Sequence, residues 1–212
     1  AGADDGNGRQ LRVFRKMLRF TAFLSFPAMF GLALIAPEFV PLALKSQWTD
    51  CVPFLQVLCV AGSMIPVSQQ FSNLLVSRGR SSKFFIGTAG MMAAQLAIIL
   101  GLYLTGHGVH TLICSIAALQ IAWTGVWFGM TRSEIRISTT DTLRDILPFA
   151  AAAGISVGAA WAASLAVDGM AAKLAVKGAV AAAAYCAVMK AAHAVVFKEC
   201  TGFLLSRIRR GK

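Results

Sequence analysis

Six residues that are unusual in an apolar segment recur along one stretch of this sequence. They are Gln56, Ser63, Pro66, Gln70, Asn73 and Ser77, and their separations of three, four or seven residues place them on one face of an α-helix. Amide and hydroxyl groups bind polar solutes by hydrogen bonds without covalent chemistry. Because polar side chains are costly against lipid, this stripe must face other helices or a water-filled cavity. We predict that Gln56, Ser63, Pro66, Gln70 and Asn73 line a substrate pathway; the alternative is that they only form hydrogen bonds between helices.

Pro66 lies near the centre of the same stretch. Proline lacks a backbone N–H and removes one helical hydrogen bond, so the sequence predicts a kink at this point. A bent helix with a polar face is suited to be a moving part of a transporter.

Polar residues in other apolar stretches are secondary candidates for the pathway, namely Gln95, Gln120, Lys190 and His193. The two glutamines are isolated amides, which favours packing contacts. Lys177 and Lys190 lie close enough to the ends of their segment for the amines to reach the membrane interface.

Catalytic and ion-coupling motifs are missing from the sequence. Glu38 and Asp168 lie near the outer ends of their segments, and no carboxylate occupies the middle of one, although a proton or sodium relay usually needs it. Nucleotide-binding loops, zinc-protease motifs and hydrolase elbows do not occur, and the five cysteines form no C-x-x-C pair. We therefore predict no enzyme activity, no cofactor and no metal site.

The elements that carry these residues are six apolar segments, labelled A to F. Each is about 20–25 residues long, enough to cross a hydrocarbon core about 30 Å thick as a helix. The hydrophobic content of 57% and the charged content of 14% also exceed the usual balance of soluble proteins. The fold class is therefore an all-α, polytopic membrane bundle with six transmembrane helices, at Phe20–Leu44, Pro53–Ser77, Phe84–Leu104, Thr111–Met130, Pro148–Val167 and Leu174–Phe197.

The basic residues fix an orientation. Short cytoplasmic connections retain Lys and Arg, and sixteen of the twenty Lys and Arg residues lie in the leader, the B–C and D–E loops and the tail. Both termini are therefore predicted to be cytoplasmic. The net charge of +11 arises from these loops, which argues against a nucleic-acid partner.

Five regions follow along the chain. Residues 1–19 are predicted to be a cytoplasmic loop, Ala1–Gly8, followed by an amphipathic helix in the membrane interface. Residues 20–130 form a four-helix membrane unit, 131–147 a cytoplasmic loop, 148–197 a terminal helix pair and 198–212 a basic cytoplasmic tail. The chain begins without Met, which indicates a fragment of a longer protein.

Small residues are frequent in segments C and E. They are Gly87, Gly90, Ala94 and Gly101 in C, and Ala150, Gly154, Gly158 and Ala162 in E. Since small residues allow helix backbones to approach closely in lipid, we predict tight packing within the chain at these positions.

The first two segments also resemble a known family. Phe-Pro-x-x-x-Gly-Leu from Phe26 to Leu32, Ala-Pro at Ala36 and Pro37, a loop with Trp48, and a second helix closing on Gly79-Arg80 stand in the family's order. This pattern resembles the oligosaccharide flippases of the multidrug, oligosaccharidyl-lipid and polysaccharide exporter superfamily.

The resemblance implies a multi-pass transporter of a bacterial inner membrane with about twelve to fourteen helices in two lobes. Such a protein moves undecaprenyl-diphosphate-linked oligosaccharides to the outer leaflet by alternating access, for lipopolysaccharide, O-antigen or capsule export. The implied partners are the lipid bilayer, the lipid-linked oligosaccharide and a missing N-terminal half of the same protein.

Two other functions remain open at this point. One is a drug or cation antiporter of the same superfamily, which the missing carboxylate disfavours. The other is a non-transporting membrane scaffold or a subunit of a polymerising enzyme, which would have no reason to keep water against the polar stripe.

Overall fold

The computed structural model describes residues 2–135 and 137–191, and this part of the chain is almost entirely helical. Six helical spans in it are long and apolar enough to cross a membrane, with α2 and α3 together forming the second. The predicted all-α bundle of six membrane-spanning helices is thus confirmed. The helices are α1 (Gly2–Leu44), a short 3₁₀ helix (Ser46–Cys51), α2 (Val52–Gly62), α3 (Ile65–Ser77), α4 (Ser81–Leu104), α5 (Val109–Ile135), α6 (Thr139–Ser164) and α7 (Met170–Ala191).

The second span is interrupted where a kink was predicted. Ser63 and Met64 form a turn between α2 and α3, and Pro66 lies in the first turn of α3. Proline is tolerated there because N–H groups of the first helical turn have no partner within the helix. The interruption predicted at Pro66 is confirmed.

The predicted loop and separate interfacial helix at the start of the chain are wrong. Helix α1 runs without a break from Gly2 to Leu44, 43 residues, or about 64 Å at about 1.5 Å per residue. Phe14 and Leu18 of the leader are buried against other helices. Packing of this apolar face holds the leader in line with the membrane span, so it does not lie flat on the bilayer.

The predicted loop at residues 131–147 is also wrong. Helix α5 continues to Ile135 and α6 begins at Thr139, so the connection is only three residues long. The polar residues extend both helices: in α5 Glu134 accepts hydrogen bonds from Arg80 and from Lys83 of α4, and in α6 Asp145 accepts them from two arginines of α1. Arg136 lies outside the described residues, as do residues 192–212, which include the end of segment F and the basic tail.

Helix α1 is the centre of the bundle, packing against α2 and α3 on one side and α6 and α7 on another. One core cluster joins α1 to α3, α5 and the α5–α6 connection: Phe14, Leu18, Val67, Phe71, Leu74, Leu75, Trp127, Ile135 and Ile137. A second joins α1 to α6 and α7: Ala22, Phe26, Phe149, Ala152, Ala153, Tyr185 and Met189. Because α1 packs on both groups, the division into a four-helix unit and a terminal pair stays a prediction.

The small residues of α4 and α6 behave differently. Gly87 and Gly90 of α4 lie under the rings of Trp127 and Trp123 of α5, so the predicted close packing is confirmed there. In α6 no atom of the described residues lies within 4 Å of the position of a Cβ on Gly154 or Gly158. Close packing at this Gly-x-x-x-Gly pair is therefore a wrong prediction, because this face of α6 lies along an open cleft.

Candidate transport site

Three residues of the predicted polar stripe, Gln56, Ser63 and Gln70, contact α1. Gln56 Nε2 donates to the carbonyl oxygen of Ala33 at 3.0 Å, and Gln70 Nε2 donates to Thr21 Oγ1 at 3.2 Å. These contacts are the hydrogen bonds between helices that the alternative interpretation predicted. They hold the interrupted second span against α1 through neutral groups.

The turn between α2 and α3 is held in the same way. Ser25 Oγ of α1 donates to the carbonyl oxygen of Ser63 at 2.8 Å, and both residues are buried. The carbonyl groups next to a helix break lack their usual partners, and an unpaired carbonyl is costly inside a membrane. Ser25 therefore stabilises the break, a role that the sequence analysis missed.

Asn73 is separated from the other residues of the stripe. It is exposed, together with Ser77, whose hydroxyl donates to the Leu74 carbonyl within its own helix. Gln70 lies in the same helix, α3, and contacts α1, so Asn73 lies outside the face of α3 that packs on α1. Whether these residues line a pathway stays a prediction.

The secondary candidates are dispersed. Gln95 and Gln120 are half-buried on α4 and α5, and their side chains make no hydrogen bond within the described part of the chain. Lys190 is exposed near the end of α7, whereas His193 lies outside the described residues. No side-chain hydrogen bond joins Gln95, Gln120 and Lys190 within the described residues.

A groove of about 610 Å³ lies between α2 and α6, with α1 as its floor, and we call it the α6 cleft. It is lined by Phe30, Ala33, Leu34, Pro37, Gln56, Val60, Gly154, Val157, Gly158, Trp161 and Lys177. A separate groove of about 300 Å³ lies between α3, α5 and α6. The α6 residues that line the two grooves recur every three or four positions, so they lie on one face of this helix.

A buried ion pair lies beside the α6 cleft. Lys177 Nζ is 2.6 Å from Glu38 Oε1 and 3.3 Å from the Leu34 carbonyl oxygen, and the Lys177 side chain is only 7% exposed. The predicted extension of Lys177 to the membrane interface is therefore wrong, because Glu38 of α1 provides a nearer and oppositely charged partner. Within the described part of the chain, Glu38 Oε2 is buried without a hydrogen-bond partner.

A second ion cluster joins α1 to α6 at the other end of the bundle. Asp145 is 1% exposed and accepts hydrogen bonds from Arg15 Nε and Arg19 Nε, both at 2.6 Å. Arg15 also donates through a second nitrogen at 3.1 Å, which makes the pair bidentate and strongly directional. The sequence analysis placed these arginines in an interfacial helix and missed Asp145, which stands in a segment of mixed charge with Glu134 and Asp141.

These features bind and position, and they do not suggest covalent chemistry. Among residues 2–135 and 137–191, no three His, Cys, Asp or Glu side chains are grouped in a way that could hold a metal ion. The arrangement places the amide of Gln56 and the amine of Lys177, neutralised by Glu38, beside an apolar groove that runs along the membrane spans. Such a groove can accept an amphipathic or polar solute.

Residues 3–53 match the family model described as "Polysaccharide biosynthesis protein". The matched segment covers α1, the 3₁₀ helix and the start of α2, which includes Arg15, Arg19 and Glu38 of the two ion clusters. No solved structure shows a significant match to the chain.

Three curated proteins are similar to the chain. The lipopolysaccharide biosynthesis protein WzxC of Escherichia coli K12 is 34% identical over 109 residues, which is 45% of this chain and 22% of that protein. An uncharacterized membrane protein in the cps region of Klebsiella pneumoniae is 39% identical over 72 residues, covering 34% and 15%. The teichuronic acid biosynthesis protein TuaB of Bacillus subtilis is 25% identical over 115 residues, covering 52% and 24%.

The chain thus matches less than a quarter of the length of each of these relatives. The similarity confirms the resemblance to bacterial polysaccharide biosynthesis proteins that the motifs of α1 and α2 indicated. Together with the six apolar spans, it makes the chain a multi-pass protein of the bacterial inner membrane.

Proposed function

We propose that this chain, which is similar to bacterial polysaccharide biosynthesis proteins, is part of a flippase for lipid-linked oligosaccharides. The flippase moves an undecaprenyl-diphosphate-linked oligosaccharide from the inner to the outer leaflet by alternating access. The observation that carries this proposal is the similarity to the lipopolysaccharide biosynthesis protein WzxC over 109 residues. Its partners are the lipid bilayer, the lipid-linked oligosaccharide and a further set of helices that completes a two-lobed transporter.

The geometry supports binding and movement, with no chemical conversion of the substrate. The α6 cleft has polar groups at Gln56 and Lys177 within otherwise apolar walls, which suits a substrate that is both lipid and sugar. The break between α2 and α3 gives the second span a place to bend. We therefore propose a transporter that is not an enzyme.

An antiporter of the same superfamily is the weaker candidate. The structure contains a buried carboxylate, Glu38, but one of its oxygen atoms contacts Lys177 at 2.6 Å. A basic partner at this distance neutralises the carboxylate and competes with a coupling cation. We therefore favour the flippase over a cation antiporter.

The orientation is a further part of the proposal. The end of the bundle that carries Arg80, Lys83 and Arg132 and the two termini face the cytoplasm, following the bias of basic residues towards that side. Tags fused to the two ends should resist protease added to intact spheroplasts and be cleaved after lysis. Cleavage in intact spheroplasts would contradict this orientation.

Deletion of the gene for the full-length protein tests the function. We expect lipid-linked repeat units to accumulate on the cytoplasmic face, and surface polysaccharide to return when the gene is supplied on a plasmid. Labelling of the sugars with a membrane-impermeant reagent in intact and lysed spheroplasts distinguishes the two faces. Unchanged surface polysaccharide in the deletion strain would refute the flippase and favour a scaffold.

A further inference from the structure

The groove of about 300 Å³ separates α5 from α6, although only residues 136–138 join these two helices. Helix α5 packs on α2, α3 and α4, whereas α6 packs on α1 and α7. Val67 and Phe71 of α3, both at most 1% exposed, form the floor of the groove, and its walls include the exposed side chains of Ile121 and Leu143. We call it the α5–α6 groove, and it shares no lining residue with the α6 cleft.

The α5–α6 groove has the depth of one membrane leaflet. Along α6 its lining extends from Thr139 to Ala150, which is about 17 Å at about 1.5 Å per residue. One leaflet contributes half of a hydrocarbon core about 30 Å thick. Gly125 of α5 also lines the groove, and no atom of the described residues lies within 4 Å of a Cβ there. The groove therefore has the length and the free space for one acyl chain of a lipid.

A cation lies at the end of this groove that is nearest to the α5–α6 connection. Arg132 is exposed, and its Nη1 donates to Thr139 Oγ1 at 3.3 Å. The carboxylates of Glu134 and Asp141 form ion pairs with other basic residues, and Arg132 forms none within the described residues. Because the Thr139 hydroxyl accepts this hydrogen bond, its own O–H is left to donate. A guanidinium and a hydroxyl side by side are suitable donors for a phosphate group.

Charge distinguishes the α5–α6 groove from two other grooves in the described part of the chain. In the α6 cleft the Lys177 amine is neutralised by Glu38 at 2.6 Å. The groove of about 580 Å³ between α1, α6 and α7 is lined by no charged residue. Of these three grooves, the α5–α6 groove is the one that combines space for an acyl chain with a cation that has no acidic partner.

We propose that the α5–α6 groove binds one anionic phospholipid of the cytoplasmic leaflet. Its phosphate contacts Arg132 and Thr139, and one acyl chain lies against Phe71 and extends to Met64 at the break in the second span. Basic pockets between membrane helices on the cytoplasmic side are typical sites for anionic headgroups. The choice of leaflet rests on the proposed orientation, whereas the lipid site itself does not depend on the transported substrate.

Native mass spectrometry of the purified full-length protein in detergent tests the headgroup contact. The protein is titrated with phosphatidylglycerol or with phosphatidylcholine of the same acyl chains, and the apparent Kd is measured. We expect phosphatidylglycerol to bind about tenfold more tightly. Arg132→Gln should abolish this preference while phosphatidylcholine still binds. Arg144→Gln, the same loss of charge at an exposed α6 position outside the groove, should retain it. Equal Kd values for the two lipids in wild type, or equal effects of the two substitutions, would overturn the proposal.

A bulky residue in the groove tests the position of the acyl chain. Gly125→Leu fills the groove and should weaken binding of both lipids, whereas Ala122→Leu, at an exposed position of α5 outside the groove, should weaken neither. Glycerol 3-phosphate, which has a phosphate and no acyl chain, should not displace phosphatidylglycerol.

Three results of these measurements would overturn the proposal. They are equal binding to the two leucine variants, displacement by glycerol 3-phosphate, and tighter Arg132-dependent binding of undecaprenyl diphosphate than of phosphatidylglycerol. The last result would assign the groove to the carrier lipid of the transported sugar. None of these results bears on whether gene deletion abolishes export, so this proposal and the proposed function fail separately.

Discussion

Replacement of Gly87 by alanine should weaken the contact between α4 and α5. A Cβ on Gly87 would lie 2.6 Å from Cη2 and 2.7 Å from Cζ3 of Trp127. Carbon atoms pack at about 3.5–4.0 Å, so the ring or the helix must move by roughly 1 Å. Trp127 is buried, and Trp123 Nε1 donates to the Gly87 carbonyl at 3.1 Å, so movement of α4 away from α5 also strains this hydrogen bond.

The magnitude follows from a comparison with Gly101→Ala on the same helix. No atom lies within 4 Å of a Cβ at Gly101, so this variant gains only the helix propensity of alanine, about 1 kcal/mol. Gly87→Ala has the same gain but also the cost of overpacking, about 1–3 kcal/mol. The free energies of unfolding of the two variants should therefore differ by about 1–3 kcal/mol, with Gly87→Ala the less stable.

Thermal unfolding of the purified protein in detergent measures this difference. For a chain of this size, about 1 kcal/mol corresponds to about 2–4 °C in Tm, so Gly87→Ala should unfold at least about 2 °C below Gly101→Ala. Equal Tm values for the two variants would refute the close approach of α4 to the tryptophan rings. Equal Tm values for Gly87→Ala and wild type would not refute it, because the gain in helix propensity can offset the cost of overpacking.

Three further substitutions test the ion clusters and the helix break, each by the same unfolding assay. Asp145→Asn should destabilise the protein by about 2–3 kcal/mol, because two arginines lose a buried charged partner. The control is Asp141→Asn, which should cost at most about 1 kcal/mol, because the Asp141 side chain is 44% exposed and lies 3.6 Å from Arg15. Equal losses for the two variants would contradict the geometry. Lys177→Met should lower the free energy of unfolding by about 3 kcal/mol, because it leaves Glu38 buried and unpaired. The double variant with Glu38→Gln should regain most of that loss. If the losses of the two single variants add in the double variant, the two residues do not interact. Ser25→Ala should cost about 1 kcal/mol, because the carbonyl oxygen at the break between α2 and α3 loses its side-chain donor, and no loss would mean that another group takes its place.

The membrane spans could be predicted from the sequence because their cause is local. A backbone in hydrocarbon must pair its own N–H and C=O groups, and about twenty apolar residues in a row leave a helix as the outcome. The same local reasoning located the interruption near Pro66, since a missing N–H acts wherever the residue lies. Motif spacing in α1 and α2 was also enough to indicate the family that the comparisons support.

Helix ends were harder to predict than helix interiors. Residues 131–135 and 139–147 are polar and look like a loop, but they continue α5 and α6. Outside the hydrocarbon a segment can be helix or loop, and contacts with distant residues decide between them. Glu134 forms salt bridges with Arg80 and Lys83, and Asp145 forms them with Arg15 and Arg19. All four basic residues are distant in sequence from their acidic partners.

The polar stripe shows how far a periodic pattern can be trusted. Gln56, Ser63 and Gln70 share a neighbour, α1, as one helical face requires. Asn73 does not: it is exposed, although it lies in α3 with Gln70, so the periodic pattern overestimates the extent of this face. Spacing alone identified which residues avoid lipid, and the tertiary structure decided that three of them contact a helix.

By itself, then, the sequence determined that this protein lies in a membrane, how many times it crosses, and where its second span breaks, because length, apolarity and proline act on the chain segment by segment. Only the tertiary structure decided which charges pair and which faces stay apart. Lys177 contacts Glu38 across 139 residues of chain, while no atom of the described residues lies within 4 Å of a Cβ on Gly154 or Gly158. Pairing of this kind depends on how whole helices lie against α1, and that arrangement is fixed by the sum of many weak contacts and by no single local pattern.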